Sequence, residues 1–298
     1  MPRQRLCILS RKKSLYSTSR LVVAAKEQGA NPLVMDTLRC TMIVAPTGNT
    51  LMYRGAQVEG LTAAIPRIGA SITAYGLAVV SHLETMNVPV ANPTSAIARS
   101  RDKLRCLQLL AQAGVDVPRT VMATAGAKVR DLVDAVGGLP CIIKLLRGTQ
   151  GVGVMIANTR GEAETIVQTF WGLGQDVCLQ EFITESAGKD VRALVVGDEV
   201  VGAMRRQAQG GEFRSNIHRG GEGKSIKLDM HFQQTAVKAA KTIGLSVCGV
   251  DMLEGKTGPK VMELNSSPGF EGLESATKTD IAGAIVRHAL SLGAKSPK

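Results

Sequence analysis

The stretch VMELNSSPG, residues 261–269, holds Glu263 and Asn265 two apart in an apolar run and breaks at once into a Ser-Ser-Pro-Gly turn. With VCGVDMLE (247–254) before it, the segment reads as a β-hairpin closed by GKTGP (255–259). If those five residues form the loop, Glu254 faces Lys260 and Asp251 faces Glu263. Side chains alternate along a strand, so Asp251, Glu263 and Asn265 share one face. Two like charges directly opposite repel, and a divalent cation is an economical offset. All three donors are oxygens, which selects Mg²⁺ or Mn²⁺ over zinc and calls for phosphate oxygens to complete the shell. A solvated sheet face with three polar residues accounts for the same spacing, so both readings stand.

Upstream, PCIIKLLRGTQGVGV (140–154) sets Lys144 in an apolar strand, followed by Gly148, Gly151 and Gly153. A buried lysine needs a counter-charge, and a glycine loop can offer backbone N–H groups to phosphate oxygens. The segment reads either as a clamp over a nucleotide or as a glycine hairpin with a snorkelling lysine. GEGKS (221–225) fits only the end of a P-loop: the first glycine of that motif would fall on His218, and no apolar strand precedes it. DVRALVV (190–196) and EVVGAMRR (199–206) form a second hairpin on a Gly197-Asp198 turn, with Asp190 opposite Arg205 and Arg192 on the face of Asp190. Arg206, Arg214, Arg219, Asn216 and His218 follow in a basic segment. Guanidinium forks suit carboxylates and phosphates. An acidic substrate fits here, and so does a plain solvated basic loop.

At 298 residues the chain exceeds one ordinary core. Residues 1–93 alternate strand and helix patterns, with RCTMIV and LMYRGAQV as a hairpin-like pair; 94–118 read as a helical linker. A second α/β lobe spans 119–183, and a third, 184–298, holds both hairpins with a helix between them. The net charge of +11 suits an acidic partner, while aromatic content of only 3% argues against a nucleic-acid substrate read by base stacking. Six cysteines without a CxxC pair read as buried thiols of a reducing compartment. Four histidines lack metal-ligand spacing, and neither a signal peptide nor a membrane span is visible, so a cytoplasmic protein is expected.

Lys103, Lys144, GTQGVGV, LQEFI, KDVR, FRSNIHRGG, GVDML and VMELNSSPG occur in ATP-grasp order. With ILSRKKSLYS and IPRIG in front and DIAG near the end, nearly the whole chain resembles the RimK-type α-L-glutamate ligases. The resemblance implies an α/β (α+β) ATP-grasp fold, with an N-terminal pre-ATP-grasp α/β domain before two lobes that sandwich ATP. It gives Lys103, Lys144, Gly148, Gly151, Gly153 and Asp190 to ATP, and places Glu181 and Phe182 at the adenine hinge. Arg214, Ser215 and Asn216 face nucleotide and substrate, with Arg214 and Asn216 catalytic. Arg192, Arg205 and Arg206 are the candidates for substrate. Asp251, Glu263 and Asn265 match the ligands of two Mg²⁺ or Mn²⁺ ions. The implied reaction joins L-glutamate to an acceptor ending in glutamate, through an acylphosphate, giving ADP and phosphate. The family's acceptor is the sixth protein of the small ribosomal subunit, and free poly-α-glutamate is also made. A homo-oligomer, specifically a tetramer, is expected. Another amino acid or a small-molecule acceptor remains the alternative within ligases, and a non-catalytic nucleic-acid binder the alternative outside them.

Overall fold

The computed structural model describes residues 3–145, 153–208 and 222–295. The first strand, β1 (Arg5–Leu9), is buried almost throughout, as a strand covered on both faces must be. α1 (Tyr16–Glu27) crosses from it to β2 (Asn31–Met35). A small antiparallel sheet follows, of β3 (Cys40–Ile43), β4 (Thr50–Tyr53) and β5 (Ala56–Gln57). LMYRGAQV is thus two strands rather than one. Arg54 (φ 53°) and Gly55 (φ 84°) both take the left-handed backbone of a tight hairpin turn between them. The chain returns as β6 (Ala63–Pro66), giving a parallel sheet in the order β2-β1-β6, and α2 (Thr73–Thr85) packs alongside. Ser10 and Arg67 leave the carboxyl ends of β1 and β6, where open α/β sheets bind ligands.

The stretch expected as one helical linker is two helices, α3 (Thr94–Arg101) and α4 (Lys103–Gln112). Asp102 between them leaves the helical region (φ −82°, ψ 98°), and its Oδ1 accepts from Arg105 N at 3.0 Å. Aspartate is a poor interior helix residue and a strong N-cap, so the break falls there. The second sheet, in the order β7-β10-β8-β9, is antiparallel. It comprises β7 (Thr120–Ala123), β8 (Cys141–Leu145), β9 (Val154–Ala157) and β10 (Val177–Glu181). α5 (Val129–Ala135) and α6 (Arg160–Gly172) cover the face that carries Ile143 and Leu179. Alternation leaves Thr120, Lys144, Cys178 and Gln180 on the other face.

The third sheet has the order β13-β12-β11-β14-β15. It is built from β11 (Lys189–Val196), β12 (Glu199–Gln207), β13 (Glu222–Ser225), β14 (Val247–Gly255) and β15 (Gly258–Asn265). Of GEGKS, the described residues 222–225 are the edge strand β13, not a strand-to-helix loop. α7 (Met230–Ile243) covers one face, over Val191, Ala193 and Val250. α8 (Glu271–Thr277) and α9 (Ile281–Lys295) cover part of the other. α9 also packs against α1, so Leu6 and Ile8 of the first sheet share one core with Leu194 and Met204 of the third. Asn92 stitches the same two parts together. Its Nδ2 donates to Val247 O (2.6 Å) and Ser266 O (2.9 Å), and its Oδ1 accepts from Ser246 N and Val247 N, each at 3.0 Å.

Both hairpins of the third sheet carry a one-residue bulge that alters the expected pairing. In the first, Val196 pairs with Glu199 across the Gly197-Asp198 turn, but the register shifts at Leu194. Asp190 therefore stands opposite Arg206, and Arg205 turns to the α7 face. In the second, Gly255 pairs with Gly258, so the turn is two residues and Glu254 faces Pro259 rather than Lys260. A shift between Asp251 and Met252 then leaves Met262 as the extra residue and brings Asp251 opposite Glu263 after all. All six cysteines are buried free thiols, and among the described residues no helix is long and apolar enough to cross a membrane.

Candidate active site

A cavity of about 880 Å³ opens where the three parts meet. Ser10, Arg67 and Gly69 come from the carboxyl end of the first sheet, Arg101 and Lys103 from the α3–α4 junction. Lys144 and Gln180 come from the second sheet, and Glu263, Asn265 and Ser267 from β15 and the turn after it. The apolar strand around Lys144 is explained by its neighbours on the uncovered face. Lys144 Nζ donates to Gln180 Oε1 at 2.6 Å, and Gln180 Nε2 donates to Thr120 Oγ1 at 2.9 Å. Burial pushes the Lys144 ammonium below the ordinary lysine range, and the charge of Glu263 only partly opposes this.

The polar face of the third sheet holds a buried array. Arg206 donates to both oxygens of Asp190, with Nε to Oδ1 at 2.6 Å, and its Nη2 reaches Asp251 Oδ2 at 2.9 Å. Arg192 grips the same carboxylate, Nε to Oδ1 at 2.7 Å and Nη2 to Oδ2 at 2.6 Å. Burial alone would raise Asp251, but the guanidinium groups of Arg192 and Arg206 outweigh it and hold the carboxyl below its usual range. Two arginines thus neutralise two buried acids, which is how a sheet interior tolerates charge. The offset that the sequence sought in a cation is, for Asp251, supplied by these arginines. Asp190 is likewise engaged by Arg206. Arg205 is not in this array; its Nη2 meets Glu254 Oε1 at 2.5 Å on the α7 face.

Glu263 is the acid left over. Among the described residues no hydrogen bond or ion pair reaches its carboxylate, which lies open to the cavity. The surrounding protein, and then the facing charge of Asp251, push its pKa up, against the pull of Lys103, Lys144 and Arg192. Asn265 lines the same wall, and its Oδ1 accepts from Ser267 N at 3.0 Å. Among the described residues no three His, Cys, Asp or Glu side chains cluster as a metal site. An uncompensated carboxylate beside an amide oxygen nevertheless fits a hard cation that keeps few protein ligands and takes the rest from phosphate. Glu263 and Asn265 suit it as they stand; Asp251 would join only by giving up bonds to Arg192.

Glu181 ends β10 between the second and third sheets, with Phe182 half-buried after it. The Glu181 carboxylate accepts from Arg119 N at 3.1 Å, and Lys260 Nζ lies 3.8 Å away. Gly153 takes φ 74°, and a Cβ there would stand 2.9 Å from Leu145 Cδ1. Gly148, Gly151, Arg214, Ser215 and Asn216 lie outside the described residues, as do His218 and Arg219. Sequence reasoning missed Gln180, Arg67 and Arg101. Gln180 had a signal: a lone amide in the apolar run VCLQ, two residues from Cys178. Arg67 had another, a charge placed directly after the buried strand AAIP.

Comparisons with known proteins agree along the whole chain. The family described as RimK PreATP-grasp domain matches residues 4–97, and the RimK-like ATP-grasp domain matches 100–289. A probable alpha-L-glutamate ligase 1 of Hahella chejuensis is 54% identical over 281 residues, covering 94% of this chain and 93% of that one. A probable alpha-L-glutamate ligase of Vibrio cholerae is 51% identical over 279 residues, with 94% and 93% covered. Among solved structures, the ATP-grasp ligase PsnB, complexed with a phosphomimetic variant of its minimal precursor, Mg and ADP, superposes with a TM-score of 0.77. It is 24% identical, and 98% of this chain and 99% of that one are covered. The macrocyclase MdnC of Microcystis aeruginosa, bound with precursor peptide MdnA, gives 0.74 at 14% identity, with 97% and 100% covered. At those identities the structures speak for the fold.

Proposed function

The chain belongs to the RimK-like ATP-grasp family, and from that premise we propose that it is an ATP-dependent ligase joining L-glutamate, through its α-amine, to a carboxylate-ended acceptor. The observation that carries this reading is the convergence of Lys103, Lys144, Glu263 and Asn265 on one cavity between separate sheets. An oxygen of the acceptor carboxylate attacks the γ-phosphorus of ATP, the bond to the β-phosphate oxygen breaks, and ADP leaves. The glutamate amine then attacks the acyl carbon of the acylphosphate, phosphate departs with the C–O bond electrons, and the amine loses a proton. Two anions must approach each other in the first step, and Lys103 and Lys144 lower that repulsion. Gln180 holds Lys144 in place for it. Two Mg²⁺ or Mn²⁺ ions, held by Glu263 and Asn265 and by Asp251 if freed from Arg192, would supply charge neutralisation on the phosphates.

Gly148, Gly151 and Gly153 are proposed to cover the phosphates, and Glu181 and Phe182 to meet the adenine. Arg214, Ser215 and Asn216 are proposed to face the reacting groups. Arg192 and Arg206 act by holding Asp251 and Asp190 in position, and Arg205 takes no part in the cavity. The acceptor is read as the glutamate-ended C-terminus of a ribosomal protein, or growing poly-α-glutamate, and the working assembly as a homotetramer. Mass spectrometry tests the central claim. Protein, ATP, Mg²⁺, glutamate and a glutamate-ended peptide should give a ladder of added glutamates; ADP and phosphate without a ladder would refute it. Screening twenty amino acids for ADP release then separates glutamate from another amino-acid substrate.

A further inference from the structure

We propose that Arg67 and Arg101 form a carboxylate-recognition site at the first-sheet end of the cavity, holding the two carboxylates of the incoming glutamate that do not react. This rests on the ligase reading above. Arg67 follows β6 directly, and Arg101 is the last residue of α3; both line the cavity. Among the described residues their partners are all neutral. Arg67 Nη2 donates to Pro268 O at 2.7 Å and to Ser17 Oγ at 3.2 Å, and its guanidinium sits 5.7 Å from the Phe270 ring centroid. Arg101 Nη2 donates to the carbonyl of Ile68, the residue after Arg67, which sets the Arg101 guanidinium beside the segment that carries Arg67. Among the described residues no hydrogen-bond partner reaches the buried Nε of Arg101. Among the described residues neither arginine forms an ion pair with a carboxylate.

Such groups are costly where they stand. Burial pushes Arg67 down to about 10 and lowers Arg101 as well. A cation taken out of water without an anion is what an incoming anion relieves. The described cavity wall carries Arg11, Arg67, Arg101, Lys103 and Lys144 against the single carboxylate of Glu263, and Arg11 is already paired with Asp36 at 3.1 Å. The surplus falls into two groups. Lys103 and Lys144 act on Glu263 at the end of the cavity formed by the second and third sheets, which suits a triphosphate and its cation. Arg67 and Arg101 stand where the first sheet and α3 meet the cavity, and a second anion is needed there.

Chemistry selects that anion. The incoming amino acid reacts through its amine, so its α- and side-chain carboxylates both remain charged throughout. Two planar guanidinium forks match two carboxylates. A site built for a charged group rejects the neutral isostere because its own cation is then left unpaired. Arg67 and Arg101 are therefore what tells glutamate from glutamine.

Steady-state kinetics on the full chain, with ATP, Mg²⁺ and a glutamate-ended peptide, tests this. Arg101→Gln should raise KM for glutamate about tenfold or more. KM for ATP, and kcat at saturating glutamate, should stay within about threefold of wild type. The preference for glutamate over glutamine should collapse in the same variant. Arg67 also props the turn after β15, so Arg67→Lys is the safer change. It keeps the charge, loses the fork, and should weaken glutamate binding less than Arg101→Gln, with a small drop in melting temperature from the lost bonds to Pro268 O and Ser17 Oγ. A rise in KM for ATP instead, or an unchanged glutamate-to-glutamine ratio, overturns the assignment and leaves the ligase reading intact. A wild-type protein that ligates no glutamate overturns both.

Discussion

Glu263 sits on the cavity wall facing Asp251, whose own charge is already satisfied by Arg192 and Arg206. The excess negative charge of the pair therefore falls on Glu263. Its folded pKa lies above the unfolded one, so between the two values the folded state holds an extra proton. The sign follows: stability falls as pH rises through that window, starting near the ordinary value of about 4.3. Glu263→Gln should remove this fall. Its melting temperature should match wild type at low pH and exceed it increasingly toward neutrality, while glutamate addition drops by about a hundredfold or more. A variant less stable than wild type at neutral pH would show that Glu263 is a structural acid. Lys144 gives a second residue-level test. Its ammonium deprotonates earlier than an ordinary lysine, and bound phosphate should restore it. The alkaline limb of kcat/KM for ATP, which reports the free enzyme, should thus lie below the limb of kcat. In Lys144→Arg, where no proton is lost, the kcat/KM limb should move up; an unmoved limb assigns it to another group.

Elements decide where these residues point. Asp102 ends α3 and caps α4, and it separates Arg101 from Lys103, both on the cavity. Asp102→Ala should cost about 1 kcal/mol by denaturant unfolding, and it should weaken ATP and glutamate binding together because both neighbours shift. Loss of stability with both KM values unchanged would reduce Asp102 to a cap alone. Most elements were legible from periodicity: the parallel βαβ start, the Lys144 strand and both hairpins of the third sheet. The registers were not. A bulge has no period; it is set by how strands twist against α7 and α8, and neither Val201 nor Met262 advertises itself. The Asp251–Glu263 pair was read correctly because two misreadings cancelled, a turn taken too long and a bulge left out. Without such a cancellation, Arg205 was put where Arg206 belongs. β13 and α8 were missed because an edge strand and a two-turn helix bury too little to leave an apolar pattern.

The whole molecule is joined unevenly. Ile8 and Ile65 of the first sheet share a core with Leu194 and Val247 of the third, closed by Phe270 and α9, and Asn92 adds four hydrogen bonds, three of them buried, across the same junction. Opening either sheet exposes the apolar face of the other. The second sheet keeps its own core with α5 and α6, built from Ile143, Val167 and Leu179. It can therefore open, or shift as a unit, without disturbing the rest. Native-state hydrogen exchange should separate these parts. Amides of Ile143 and Leu179 should exchange through a lower-energy opening than those of Ile8 and Val250, which should share one opening energy. Adding ADP and Mg²⁺ should raise the first pair most if, as proposed, the nucleotide is held by Lys144 on one sheet and Glu263 on another, because that ties the independent unit to the rest. The Asn92→Ala variant should do the reverse, lowering Ile8 and Val250 by several kcal/mol through buried groups left unpaired, with Ile143 and Leu179 unchanged. A single opening energy for all four amides would mean that the cavity lies inside one cooperative body. Lys144 and Glu263 would then be fixed relative to each other, and closing over ATP would require motion of a loop alone.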